Sequence, residues 1–224
     1  MRSIIGLALG LLAASGAPPQ DADELGTLQQ ALTWPDGYGW RQSTGDRCYS
    51  SSGNHSGCVR QGTKRIRYGF QAGTCHTWWQ TRFVEAHNDF LSLMTGLGWN
   101  VSGPSNGTDV EMSCNDGIPG GGNFTPSNSV TQPDGSVTFT DGNLYISVLH
   151  ITDDTSWFGK SDVQRQRCAR NFILHELMHT VGLGHGGPTG HLMRGFSPSG
   201  LSSWYSNLKY PSTEENNWLA DFQL

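Results

Sequence analysis

Residues 175–185 read His-Glu-Leu-Met-His-Thr-Val-Gly-Leu-Gly-His and constrain the fold more than any other segment. His175 and His179 are four residues apart, so on a helix both imidazoles project from one face, one turn apart. That spacing suits two nitrogens that bind one zinc ion. Gly182 can adopt the positive φ that turns the chain after a helix, and His185 can then return to the same ion. The segment therefore predicts a helix, a tight turn and three ligands around one cation.

Glu176 follows the first histidine, at an angle that lets its carboxylate reach a water on the metal rather than the metal itself. Three protein ligands leave a fourth position for that water, as a catalytic zinc site requires. Zinc lowers the pKa of bound water towards ~7 and polarises a carbonyl, and Glu176 can act as general base and then general acid. The alternative is a core helix with hydrogen-bonded histidines. Gly182 and His185 at their fixed offsets favour the metal site.

The pattern His175-Glu176-x-x-His179-x-x-Gly182-x-x-His185, with Met193 downstream, resembles the metzincin zinc endopeptidases and, within them, the matrixin catalytic domain. The resemblance implies one zinc ion, hydrolysis of peptide bonds, and Met193 in a Met-turn as a hydrophobic floor under the ligands. It implies a twisted mixed sheet with two long helices above an active-site cleft. It also implies that Asn143–Ile151 is the edge strand along which an extended peptide substrate pairs.

Some positions differ from the matrixin pattern. Gly186 follows the third histidine where matrixins usually have Ser, and Arg194-Gly195 follows Met193 in place of Tyr-Pro. A cysteine-switch pro-segment is not recognisable. Calcium is compatible with the family, but residues 115–160 contain no clear cluster of His and Asp for calcium or a second zinc ion. The motif therefore predicts the chemistry better than the substrate.

The start of the chain predicts export. Residues 1–17 combine a basic start, a short apolar run and small residues, which is typical of a signal peptide. Residues 18–33 are interpreted as a linker or short pro-segment, and residues 34–224 as the catalytic domain of a secreted monomer. The formal charge of −5 comes with no basic patch, which argues against a nucleic-acid partner. No other apolar run reaches membrane length, so no membrane association is expected after signal removal.

Five cysteines are compatible with disulfides in an exported protein. Two bridges and one odd thiol is the simplest count, although the connectivity does not follow from the sequence. Cys48–Cys58 and Cys114–Cys168 are two hypotheses for the pairs. For Cys168, a structural disulfide or an inert buried thiol is favoured over a catalytic role.

The remaining patterns predict a single α+β domain. The expected elements are a strand over 65–70, a helix of about five turns ending near 96–98, a strand over 109–114, a surface loop over 115–136, strands over 136–140 and 143–151 joined by a tight turn at Asp141-Gly142, a helix from a Ser161 capping box to about Val181, and a terminal helix after Ser212.

Other residues could touch the site. His191 is weighed as an alternative ligand to His185 but favoured as a solvent-facing residue, and His87 is expected at the surface or half-buried. Trp204 and Tyr205 are equally compatible with a pocket wall and with core aromatics. Two further functions remain open, namely hydrolysis of a cell-wall peptide bridge by the same site and a non-catalytic, zinc-bearing binding module.

Overall fold

The computed structural model describes residues 41–42, 58–103, 108–117, 121–133, 135–152, 157–185, 191–193 and 201–220. All of them belong to one unit of the chain, Trp34–Leu224. The predicted signal peptide (1–17) and linker (18–33) lie outside the described residues.

The described residues contain nine strands in two sheets. In chain order they are β1 Arg41–Gln42, β2 Cys58–Gln61, β3 Arg65–Phe70, β4 Asn100–Ser102, β5 Val110–Cys114, β6 Gly122–Ser127, β7 Val130–Thr131, β8 Val137–Phe139 and β9 Asp141–Ile146. The larger sheet has the order β4-β3-β5-β9-β6, and the smaller one has the order β1-β2-β8-β7. In the larger sheet all neighbours are parallel except β6, which runs antiparallel to β9. The fold is therefore a mixed five-stranded sheet combined with helices, as predicted at the level of α+β.

The predicted hairpin at Asp141-Gly142 is wrong. Both residues belong to β9, and the Gly142 N–H donates to the Asp109 carbonyl on the side of β5 (2.9 Å). Strand β8 instead pairs with β2 and β7 in the smaller sheet. An Asp-Gly pair favours a tight turn locally, but here pairing with a parallel neighbour decides its conformation.

The predicted edge strand is also wrong. Strand β9 is internal, between β5 and β6, and the chain after it forms a short helix, Val148–Thr152. The edge is β6, within the segment 115–136 that was predicted to be a loop, and β7 lies in the same segment. Glycine, asparagine and proline give β6 little intrinsic strand preference. Its conformation depends instead on register with β9 over six residue pairs.

Five α-helices are described: α1 Thr77–Gly96, α2 Val148–Thr152, α3 Asp162–His179, α4 Leu201–Ser206 and α5 Thr213–Ala220. The two long helices α1 and α3 were predicted, and they pack against each other. The capping box at Ser161 is confirmed, since the Gln164 N–H donates to Ser161 Oγ and the Ser161 N–H donates to Gln164 Oε1. The helix after Ser212 is confirmed as well.

One hydrophobic core lies between the larger sheet and the long helices. It includes Tyr68, Met112, Phe124 and Leu144 from the sheet, Phe83 and Phe90 from α1, and Phe172, Ile173 and Leu177 from α3. Within the described residues, no helix combines the length and the apolar composition needed to cross a membrane.

A disulfide joins Cys75 to Cys114, with 5.1 Å between their Cα atoms. The predicted Cys114–Cys168 pair is therefore wrong, because the end of β5 lies beside the start of α1. Cys168 is buried in α3. Cys48 lies outside the described residues, so its predicted pairing stays a prediction.

Candidate metal centre

Three histidine side chains converge at the end of α3. The Nε2 atom of His185 lies 3.1 Å from Nε2 of His175 and 3.1 Å from Nε2 of His179. The three residues could hold a metal ion, and no other such group occurs among the residues that the structure describes. His175 and His179 are buried and His185 is half-buried.

Backbone carbonyls orient two of these rings. Nδ1 of His175 donates to the Leu192 carbonyl (2.7 Å), and Nδ1 of His179 donates to the Leu183 carbonyl (2.6 Å). A carbonyl only accepts, so each ring carries its proton on Nδ1 and presents the Nε2 lone pair to the other histidines. Such second contacts fix the tautomer of metal-binding histidines.

The separations of the nitrogens fit one small cation. Ligands at about 2.0–2.1 Å in a tetrahedral arrangement are about 3.3 Å apart, close to the 3.1 Å between the Nε2 atoms. The single proton that His185 Nε2 can carry serves one of these two contacts at most, so at least one contact sets two lone pairs face to face, and a cation between the nitrogens would remove that repulsion. The donor set and its geometry therefore fit a metal ion.

A glycine turn returns the chain to the site. The Leu183 N–H donates to the Met178 carbonyl (3.2 Å) and the Gly182 N–H to the His179 carbonyl (3.0 Å). These are the two hydrogen bonds of a Schellman motif, with Gly182 in the left-handed region at φ 98°. The turn brings the Leu183 carbonyl against the His179 ring, and His185 follows two residues later.

Glu176 is buried beside the histidines, with 4% of its surface exposed. Its carboxylate lies directly against Gly122 at the start of β6. A Cβ atom on Gly122 would be 2.5 Å from Glu176 Cδ and Oε1. The edge strand and the predicted base are therefore in direct contact, which nothing in the sequence had indicated.

The end of α3 is anchored to the sheet. Thr180 Oγ1 donates to the Leu177 carbonyl (2.6 Å), so the Tyr68 hydroxyl donates to Thr180 Oγ1 (2.5 Å). Burial raises the pKa of the Tyr68 phenol well above its usual range, although the hydrogen bond to Thr180 opposes the shift. The phenol therefore stays protonated and remains a donor.

The segment after the histidines also contacts them. Leu192 supplies the carbonyl to His175, and the next residue, Met193, is fully buried. The Trp204 ring lies 5.8 Å from the His175 ring. Trp204 and Tyr205 are both buried, so they are core aromatics, and Trp204 in addition walls one side of His175.

Asn171 connects this segment to α3, and sequence reasoning missed it. Its Nδ2 donates to the Trp204 and Asn207 carbonyls (2.9 and 2.8 Å), and its Oδ1 accepts from the Lys209 N–H (2.8 Å). A lone asparagine in an apolar helix carries no signal in one sequence, because the carbonyls it satisfies lie 33 or more residues away.

The other histidines that the structure describes are not grouped with these three. His191 lies next to Leu192 but is not among the three grouped residues, which leaves His185 as the third member. The prediction for His87 is wrong, since it is fully buried in α1 beside Tyr68 and Phe90. His150 lies in α2, not in the strand predicted over 143–151.

Comparison with protein-family models finds no match, and comparison with curated proteins finds no significant one. The function is therefore inferred from the chemistry of the site.

Proposed function

We propose that this protein is a zinc endopeptidase of the metzincin type. The observation that carries the proposal is the convergence of three Nε2 atoms beside a buried glutamate at the end of one helix. The group found among the described residues offers three nitrogen ligands and no fourth protein ligand. Three protein ligands are typical of catalytic zinc sites, whereas structural sites have four.

His175, His179 and His185 would hold the ion through Nε2, with Nδ1 of the first two occupied by carbonyls. Zinc bound there would supply a Lewis acid that acidifies water and polarises the scissile carbonyl. Glu176 takes the proton of the attacking water and delivers it to the leaving amine.

Strand β6 is the proposed binding edge for an extended peptide. The Ser147 N–H donates to the Gly121 carbonyl (2.7 Å), so Gly121, Asn123 and Thr125 direct their backbone groups to β9. Gly122 and Phe124 consequently direct theirs away from β9, where no strand of the described residues pairs with them. These groups are suited to strand addition.

The row of outward backbone groups on β6 is short. Pro126 has the same parity as Gly122 and Phe124, so its backbone also points outwards. Proline offers a carbonyl but no N–H, and the outward edge therefore loses a donor at this position. The peptide would pair through Gly122 and Phe124, with Glu176 beside the first of them.

Two further features support the proposal. Met193 is buried next to the carbonyl that orients His175, which suits a Met-turn floor. The Cys75–Cys114 disulfide is typical of exported proteins, in agreement with the signal peptide proposed for residues 1–17. An unmodified extended protein chain is the proposed substrate, and a monomer is sufficient for the site.

The test is cleavage of casein and of a peptide library by the purified protein, with and without o-phenanthroline, together with metal analysis. We expect one zinc per chain, activity that chelation abolishes and zinc restores, and loss of at least about 10³-fold in kcat for Glu176→Ala. His191→Ala is the matched control for His185→Ala, and only the second should lose zinc.

Cleavage that survives both chelation and Glu176→Ala would contradict the mechanism. A protein that binds zinc stoichiometrically but cleaves nothing would be a binding module. Cleavage of cell-wall peptide bridges with none of casein or the library would place the same chemistry on a different substrate.

A further inference from the structure

We propose that Gly122 is the positioning residue for Glu176, and that the missing side chain at this strand position determines where the carboxylate lies. The inference rests on the proposed function for its catalytic consequence. The contact between the strand and the glutamate is independent of that function.

Space, rather than backbone conformation, requires a glycine here. Gly122 is not among the glycines with positive φ, whereas its neighbour Gly121 is, at 83°. Alanine can therefore adopt the backbone conformation of Gly122 without strain. The added Cβ would instead lie 2.5 Å from two atoms of the Glu176 carboxyl group and 2.7 Å from Cγ, well inside van der Waals contact.

The strand cannot move away easily. Strand β6 pairs with β9 from Gly122 to Ser127. Phe124 shares the face of Gly122, because side chains alternate along a strand, and it is buried in the core against Phe139. A shift of β6 would pull this ring out of its packing.

The helix backbone cannot move away either. Glu176 lies between Leu174 and Leu177 in the buried part of α3. The flexible end of the glutamate is then the group that yields. A methyl group on Gly122 would move the carboxylate and leave His175 and His179 in place, because carbonyls of other segments, Leu192 and Leu183, orient these two rings.

The same residue therefore serves two purposes. Its backbone groups point to the outward edge on which a peptide would pair, and its open face receives the base. Displacing a catalytic group by about 1 Å costs on the order of 10²-fold in rate. Gly122→Ala should lower kcat by about that factor while KM changes little, since the backbone of β6 is unchanged.

The experiment is a double-mutant cycle between Gly122→Ala and Glu176→Ala on the zinc-loaded full chain. Bound zinc, Tm and kcat are measured for all four proteins. Gly96→Ala is the control glycine substitution, because a Cβ there meets nothing within 4 Å.

We expect Gly122→Ala to keep its zinc, to lose about 10²-fold in kcat and to lower Tm by about 3 °C. In the Glu176→Ala background it should change neither the residual kcat nor Tm, because the atoms it would meet are gone. If Gly122→Ala does not fold alone, the double variant should fold.

A Gly122→Ala variant with the kcat of the wild type would overturn the inference. So would a Gly122→Ala substitution that lowers Tm equally, or prevents folding, in both the wild-type and the Glu176→Ala backgrounds. Absence of peptidase activity in the wild type would count against the proposed function alone. The cycle in Tm would then decide the contact, with relief by Glu176→Ala supporting it and no relief overturning it.

Discussion

The long helices α1 and α3 end in the same backbone motif. In α1 the Trp99 N–H donates to the Met94 carbonyl and the Gly98 N–H to the Thr95 carbonyl, with Gly98 at φ 81°. In α3 the corresponding glycine is Gly182. Both motifs stop a helix and turn the chain, and the second brings the Leu183 carbonyl to the His179 ring of its own helix.

Their histidines differ accordingly. His87 in α1 is fully buried, and neither of its ring nitrogens has a hydrogen-bond partner within the part of the chain that the structure describes. His175 and His179 in α3 are as deeply buried, yet each ring donates to a carbonyl brought by a later segment. Burial alone therefore does not make a ligand. His175 and His179 differ from His87 because carbonyl acceptors orient their rings and their Nε2 atoms converge on His185.

The largest expected effect is on metal binding. His179→Ala removes one of three nitrogens, and we expect zinc affinity to fall by more than about 10²-fold, since loss of an outer-shell partner alone costs 10- to 100-fold. His87→Phe should leave zinc stoichiometry unchanged. Competition with a fluorescent chelator measures both. Equal loss of zinc in the two variants would contradict the proposal that the histidines of α3, and not His87 of α1, bind the metal.

The second effect is acid sensitivity from His87. Burial lowers the pKa of His87 to about 4 from an ordinary value of 6.5. The unfolded chain then binds more protons between these values, so stability falls as pH drops from about 6.5 to about 4. The slope is up to about 1.4 kcal/mol per pH unit and the total about 3 kcal/mol.

His87→Phe keeps an aromatic ring against Tyr68 and removes the titrating group. Urea unfolding of both proteins across this pH window should show a shallower loss of stability in the variant. The same pH slope in both would contradict the assignment of His87 as an acid-sensitive group.

The third effect concerns the glycine turns at Gly98 and Gly182, which we expect to differ in their influence on zinc binding. Gly98→Ala and Gly182→Ala each force an alanine into the left-handed region, at a cost of about 1–2 kcal/mol. Both should lower the free energy of unfolding by similar amounts. Only Gly182→Ala should also weaken zinc binding, because its turn positions the Leu183 carbonyl and His185. Unchanged zinc affinity in Gly182→Ala would show that the turn is not part of the site.

The smallest effect concerns the edge strand. Pro126→Ala would add an outward N–H to β6, and one more hydrogen bond is worth about 1 kcal/mol. We expect KM to fall about fivefold for peptides long enough to reach residue 126 and to stay constant for shorter ones. Ser127→Ala, whose backbone faces β9, is the control. No dependence on peptide length would contradict pairing along this edge.

Local sequence was sufficient for much of the fold. The capping box at Ser161 and the glycine stop of α1 were predicted correctly, because each depends on residues within one or two helical turns, and the strands β3 and β5 were predicted correctly from their own residues. The segments that failed are those decided by distant partners. Strand β6 has a sequence typical of a loop, and it is a strand because β9 pairs with it.

For the site, the spacing from His175 to His185 already determined which residues could share an ion, since helix periodicity and a glycine turn are local properties. Tertiary structure alone decided how the rings are held, by carbonyls of Leu183 and Leu192, and which strand lies against Glu176. Those contacts join segments far apart in the chain, so their energies depend on the packed fold rather than on local sequence. The motif thus predicted a metal-binding group, and the packing placed the glycine at the start of the edge strand β6 beside its glutamate.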